Sequence, residues 1–133
     1  MQESDPNPVE RYDGTVAACA VRADAPLYVC GDWNYRSGQR QPAAWGPPRV
    51  SADSEVDTRG RALLGTLAVH SLAIVNGTDA ESVGFTSAQP RGSTVIDYLA
   101  CNHTAFAAGV TLDVGPVPNY WSDHAPLSFA IEL

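Results

Sequence analysis

Apolar residues in this chain gather in short runs broken by Pro, Gly, Asn and Ser, a pattern that predicts brief strands and two helices rather than a helical bundle. Asn7-Pro8-Val9-Glu10 reads as an N-cap, a proline at N1 and an acid at N3. It opens a helix to about Arg22, weakened by Gly14 and kept from continuing by Pro26. A second helix is capped by Asp57 or Thr58; Leu63 with Leu67 and Leu64 with Ala68 form its apolar stripe, which ends near His70. Strands are expected at Leu27 to Cys30, Leu72 to Val75, Val83 to Thr86, Thr94 to Ala100, Val110 to Val114 and Pro126 to Leu133. Gln39 to Val50 is rich in Pro and Gly and is left as a loop, and no internal repeat is visible. The order is that of an α/β (α+β) domain.

Composition bounds the picture. A chain of 133 residues, 44% hydrophobic, can bury one core. No apolar run is long enough to cross a membrane, and Met1-Gln2-Glu3-Ser4-Asp5 lacks the basic and apolar regions of a signal peptide, so a cytoplasmic or nuclear location is expected. Cys19, Cys30 and Cys101 are odd in number and lack CxxC spacing, which favours buried free thiols over a metal knuckle or a disulfide. Without a secretory route, Asn76-Gly77-Thr78 and Asn102-His103-Thr104 carry no meaning for glycosylation. A net charge of −7 argues against a broad electrostatic grip on nucleic acid. The positive charges are all arginines. Arg36 and Arg40, in the loop after Asn34, are the candidates for holding a phosphate, with a solvated loop arginine as the plain alternative.

Three stretches carry acids just after or within strand-like runs: Gly31-Asp32-Trp33-Asn34, Ile96-Asp97-Tyr98 and Ser122-Asp123-His124. Carboxylates at three such places can converge on one rim of a sheet, as a metal-dependent phosphoesterase requires. If the first strand continues, Asp32 and Asn34 point to one face. Asp123 offers a hard oxygen suited to Mg²⁺, His124 a proton for a phosphate oxygen, and Asp97 an acceptor that fixes the imidazole. Each residue also has a plainer reading. Asp32 and Asn34 can cap turns, His124 can be a turn histidine, His70 and His103 are structural or exposed, and Asn76 begins an Asn-Gly turn. Trp33, Trp45 and Trp121 read as packing residues, Trp121 also as a wall of the cleft.

Taken in order, Gly31-Asp32-Trp33-Asn34, Thr58-Arg59-Gly60-Arg61-Ala62-Leu63-Leu64, Leu72-Ala73-Ile74-Val75-Asn76-Gly77-Thr78, Ser93-Thr94-Val95-Ile96-Asp97-Tyr98 and Trp121-Ser122-Asp123-His124-Ala125-Pro126-Leu127 resemble the endonuclease/exonuclease/phosphatase superfamily, the DNase I-like enzymes. The likeness is strongest to the retrotransposon-type endonuclease branch. It implies half of a four-layer α/β sandwich: a mixed, mostly antiparallel sheet with two helices on one face and an apolar opposite face. The whole chain, 1–133, then forms a single partial domain. The activity implied is hydrolysis of phosphodiesters with Mg²⁺ or Mn²⁺, DNA being the partner of the intact domain; phosphatases share the motifs. Asp32, Asn34, Asp97 and His124 are the implied catalytic residues, and Asp123 with Asp32 the implied metal ligands. In the family the GDxN motif opens the second half of the domain, whereas here it begins at residue 31. The expectation is therefore a C-terminal half that lacks a metal-binding Glu and a phosphate-contacting Asn, is weak or inactive alone, and either pairs with an N-terminal half or self-associates. A non-catalytic remnant serving as an assembly surface is the alternative.

Overall fold

The structure, a computed structural model, describes residues 24–119 and 121–132. In chain order its elements are β1 (Tyr28–Asp32), α1 (Thr58–Val69), β2 (Ala73–Ile74), a 3₁₀ turn (Ala80–Ser82), β3 (Ser87–Gln89), β4 (Gly92–Thr94), β5 (Asp97–Cys101), α2 (His103–Ala108), β6 (Val110–Val114) and β7 (Leu127–Ile131). β5 is buried along its whole length and lies between β1 and β2. Two further ladders, β3 with β4 and β6 with β7, flank this sheet, and every ladder among the described residues is antiparallel. The class is α+β, as the sequence predicts.

Strand alternation divides the core in two. Tyr98 and Ala100 of β5, with Val29 and Ile74, face Leu63, Leu64 and Leu67 of α1. Leu99 and Cys101 belong with Val75, Ala105 and Leu112 on the other side, where Tyr28, Phe106, Val110 and Leu127 are partly buried. This second side is incompletely covered. Phe129 and Ile131 of β7 remain 38% and 37% exposed, and Tyr28 stacks on Phe129 at 6.3 Å between ring centres. Cys30 is exposed there, contrary to the expectation of a buried thiol, because it sits on an edge strand of the sheet; Cys101 is buried and free.

Several predicted elements shift. The helix over 7–22 and Cys19 lie outside the described residues. Thr94 to Ala100 is not one strand: the chain leaves β4 and enters β5 through Val95 and Ile96. The amides there go to side chains instead of a ladder, Val95 N–H to Asp53 Oδ2 (3.1 Å) and Ile96 N–H to the Thr86 hydroxyl (2.9 Å). Val83 to Thr86 is likewise not a strand. The segment before it winds into the 3₁₀ turn because the Ser82 hydroxyl bonds Asp79 (2.9 Å), and pairing begins only at Ser87. α2 escaped prediction because a six-residue helix is too short to show a period; it is capped by the Asn102 side chain, which accepts from Ala105 N–H at 2.9 Å.

The loop between β1 and α1 is irregular, as expected, yet tightly tied. Asp57 proves to be the cap of α1, accepting from Gly60 N–H at 2.6 Å. A Cβ on Gly60 would lie 1.8 Å from the Arg36 carbonyl oxygen, so the glycine in Arg59-Gly60-Arg61 is what lets the helix start press on the loop. Arg36 forks onto the buried carboxylate of Asp53 (2.9 and 2.7 Å) and also pairs with Glu55. Arg49, buried and with no carboxylate among its hydrogen-bond partners in the described residues, donates to the carbonyls of Asn76 (2.7 Å) and Arg40; burial lowers its pKa to about 10.

Two stability predictions follow from these ties. Gly60→Ala forces α1 away from Arg36 and should cost about 2–4 kcal/mol in chemical denaturation, whereas Gly65→Ala, exposed in the same helix with nothing within 4 Å of its Cβ, should stabilise by about 0.5–1 kcal/mol. Burial alone would raise the Asp53 pKa, but the bonds from Arg36 and from the Val95 and Glu55 amides outweigh it and hold it below the ordinary 3.8. A depressed carboxylate stabilises the fold above its unfolded value, and that share is lost as pH falls through the folded one. The stability gap between the wild type and Asp53→Asn should therefore be flat above about pH 5 and narrow below about pH 4; a gap that widens on acidification would contradict the assignment.

Candidate active site

The register of β1 against β5 sets Asp32 directly opposite Asp97, both on the less covered side of the sheet. Like charges in that relation repel, so a neighbouring group must offset them. His124 does so. Its Nδ1 lies 2.9 Å from Asp97 Oδ2, while its Nε2 lies 3.8 Å from Asp32 Oδ2 and 3.7 Å from Asp123 Oδ1. The imidazole pKa is raised: the hydrogen bond to Asp97 contributes most, and with the charges of Asp97, Asp32 and Asp123 it outweighs the opposing effect of burial. Asp97 is also raised, because burial outweighs its bonds to His124 and Thr86 and Asp32 adds repulsion. The two shifts act oppositely on charge in the pair. The short contact and the charge of Asp32 beside it favour the imidazolium carboxylate form.

Backbone bonds carry the histidine to this place. His124 bridges to Ser87, Ala125 N–H donates to the Thr86 carbonyl (2.8 Å) and Ala88 N–H to the Asp123 carbonyl (2.8 Å). The turn thus presents adjacent Asp123 and His124 to one cleft. Asp123 also accepts from Gln89 Nε2 at 3.2 Å.

The sequence reading missed two supports. Thr86, fully buried, accepts the Ile96 and Asp97 amides on its hydroxyl (2.9 and 3.1 Å) while its carbonyl holds the segment after His124. Asn76 is buried, donating to the Asp97 carbonyl and accepting from Leu99 N–H, both at 2.9 Å, so it does more than start a turn. A lone amide ending the apolar run Leu72 to Val75 was the available signal; Thr86 offered none.

Asp32 and Asn34 do not share a face of a continuing strand. β1 stops at Asp32, whose Oδ1 accepts from Asn34 N–H at 2.9 Å, and Asn34 adopts φ 55°. This is an Asx turn, which asparagine tolerates in the left-handed region. Asn34 nonetheless lines an open groove of about 410 Å³ beside the cluster, together with Arg36, Ser87, Gln89 and Arg91. Arg36 spends its fork on Asp53 and Glu55, so the free phosphate-binding guanidinium expected there is already engaged. Arg40 is exposed and does not line the groove. Trp33 is buried and its ring lies tilted against Tyr98, Trp45 packs on His103 and Phe106, and Trp121 is 69% exposed beside the Asp123-His124 turn.

The donor set fits a divalent ion. Asp32 and Asp123, both half exposed, carry hard oxygens 3.8 and 3.7 Å from His124 Nε2; Asp32, Asp97 and His124 also bring one ligand atom each within 4.8 Å of one another, a set that serves a metal only when the imidazole is neutral. Hard oxygens at an open rim suit an ion that keeps part of its water shell.

No protein-family model and no curated protein matches the chain. Among solved structures it resembles the endonuclease domain of TRAS1, a telomere-specific non-LTR retrotransposon, with a TM-score of 0.63 and 22% identity over 98% of this chain and 55% of that one. The chain thus shares its fold with part of that solved domain and spans about half the length of the solved chain it matches.

Proposed function

We propose that the chain contributes the catalytic rim of a metal-dependent phosphodiesterase acting on DNA, an endonuclease of the retrotransposon type. The observation that carries this reading is the opposed pair Asp32 and Asp97 with His124 between them, one ring nitrogen held by Asp97 and the other turned to the open rim. Such an arrangement costs the fold repulsion and has a use in moving protons and charge.

Asp32, half exposed at the rim, orients the attacking water and takes its proton. Asn34 holds that water or a phosphate oxygen with its amide. His124, kept protonated and fixed by Asp97, donates from Nε2 to a non-bridging oxygen as charge builds there. Mg²⁺, or Mn²⁺ in its place, held by Asp32 and Asp123, would supply neutralisation of charge on the departing oxygen. Mg²⁺ relies on few carboxylates, so binding by these two alone is expected to be weak.

The exposed Phe129 and Ile131 beside Tyr28 favour a second element of the reading: this side of the sheet receives a complementary N-terminal half or a second copy of the chain. Among the described residues no helix is long and apolar enough to cross a membrane, and a DNA substrate fits a nuclear or cytoplasmic site of action.

Nicking of supercoiled plasmid with Mg²⁺ or Mn²⁺ tests the reading. Little or no nicking is expected from the 133-residue chain, with recovery when a matching N-terminal half is added. His124→Ala should then lower the recovered rate on the order of a thousandfold. Robust nicking by the chain alone, lost in His124→Ala, would keep the nuclease and discard the need for a second half; no nicking by the reconstituted pair would discard both. Light scattering should show concentration-dependent association that Phe129→Ser with Ile131→Ser suppresses, whereas a strictly monomeric wild type would argue against an assembly surface.

A further inference from the structure

We infer that Arg49 is a positioning residue for the Asp97–His124 pair, acting through the side chain of Asn76. The inference rests on the reading above that this pair is the working part of the site, and it gives a use to a buried cation that the mechanism leaves aside.

Asp97 stands where the ladder between β2 and β5 runs out. The ladder ends at Ile74 with Ala100, and one more main-chain bond runs from Val75 N–H to the Leu99 carbonyl (2.8 Å). The next groups along that edge of β5 are the Leu99 amide and the Asp97 carbonyl. The Asn76 side chain meets both at 2.9 Å, its oxygen accepting from Leu99 N–H and its nitrogen donating to the Asp97 carbonyl. A side-chain amide thus stands in for the strand residue that would otherwise continue the ladder. The Asp97 N–H goes to the Thr86 hydroxyl (3.1 Å), so both backbone polar groups of the acid are held by side chains.

An amide holds a strand only as firmly as its own backbone is held. Arg49 Nε donates to the Asn76 carbonyl at 2.7 Å, and Nη1 donates to the Arg40 carbonyl and to the Ser37 hydroxyl (3.3 Å). The guanidinium also lies 6.0 Å from the ring centre of Tyr98, the residue after Asp97. The following residues close the same contact. Val50 N–H donates to the Gly77 carbonyl (2.9 Å), and a Cβ on Gly77, at φ 83°, would lie 2.0 Å from the Val50 carbonyl oxygen. Residues 49–50 and 76–77 are therefore locked backbone to backbone.

A cation at this depth is costly. Arg49 is 4% exposed, and among the described residues its Nη2 has no hydrogen-bond partner. What the guanidinium provides is a rigid fork that reaches acceptors on separate segments at once, which no neutral side chain of that length does. The gain appears at the far end of the chain of contacts, where Asp97 Oδ2 sits 2.9 Å from His124 Nδ1. A shift of about half an ångström in the Asp97 backbone is enough to spoil such a contact.

The test reads the proton on His124 Nδ1 by NMR in the full chain without added metal. In the wild type this proton, held by Asp97, should resonate far downfield at low temperature. Asn76→Ala should move it upfield and speed its exchange with water about three- to tenfold, the worth of one hydrogen bond. Arg49→Lys, which keeps the charge and loses the fork, should act in the same direction by a smaller factor, and it decides the matter if Asn76→Ala does not fold. Leu67→Val, a packing loss in α1 that leaves every bond named here in place, should leave the resonance where it is. A resonance missing from the wild type, unmoved in Arg49→Lys, or moved as far in Leu67→Val overturns the inference. Cleavage is read separately. In the reconstituted nicking assay Arg49→Lys should lower kcat about tenfold with KM unchanged. No nicking by the wild-type pair discards the nuclease reading, and the resonance still decides whether Arg49 sets Asp97 against His124.

Discussion

Everything at the rim of this fold depends on one unfavourable juxtaposition, two carboxylates set opposite each other on neighbouring strands. Asp32 and Asp97 are fixed there by the register of β1 on β5, and that register cannot slip: a shift of one residue would send Val29, Tyr98 and Ala100 to the wrong side of the sheet. Apolar packing therefore enforces an electrostatic cost. His124 relieves it, and the imidazolium is stabilised by the same repulsion it relieves. The order of cause runs from core to register to charge to proton affinity.

The polar scaffold behind the pair is as specified as the apolar core. The loop between β1 and α1 carries little regular structure, yet it is held by side chains acting as backbone partners: Asp53 on Val95 and Glu55, Asp57 on Gly60, Arg49 on Asn76 and Arg40. Asn76 and Thr86 extend the network to Asp97 from two directions. Where β5 leaves the β3–β4 ladder it has no strand partner for two residues, and these side chains take over the bonding. Asp97 thus begins β5 directly after two residues whose amides are satisfied by buried groups, which keeps the approach to the strand stiff where ladder pairing is missing.

The legible parts of the sequence were those governed by short-range rules. The stripe of Leu63, Leu64 and Leu67, the Asp57 cap, and the apolar runs of β1, β2 and β6 follow period and capping, and the structure has them nearly as read. The convergence of Asp32, Asp97, Asp123 and His124 was legible because each follows or interrupts an apolar run. What stayed hidden depends on contacts far apart in the chain. The break at Val95 and Ile96 is set by Asp53 and Thr86, and the engagement of Arg36 by acids 17 and 19 positions away. Neither leaves a mark on local composition. The sharp turn after Asp32 is different: Asn34 announced it, and the assumption of a continuing strand overrode a residue type that favours turns.

Two constraints meet in Arg36. Its backbone carbonyl crowds Gly60, which fixes the loop on α1, and its guanidinium is pinned by buried Asp53 below the groove. The first depends on a missing side chain and the second on a buried charge needing its partner, since an unpaired carboxylate at that depth would cost several kcal/mol. Together they place a guanidinium near the rim of Asp32, Asp97 and His124 in a chain that is otherwise strongly acidic. The arginine is rigid because the fold requires it to be, and a rigid cation loses less entropy on meeting an anion than a free surface one. The placement of this guanidinium is in this sense a by-product of how the loop is packed.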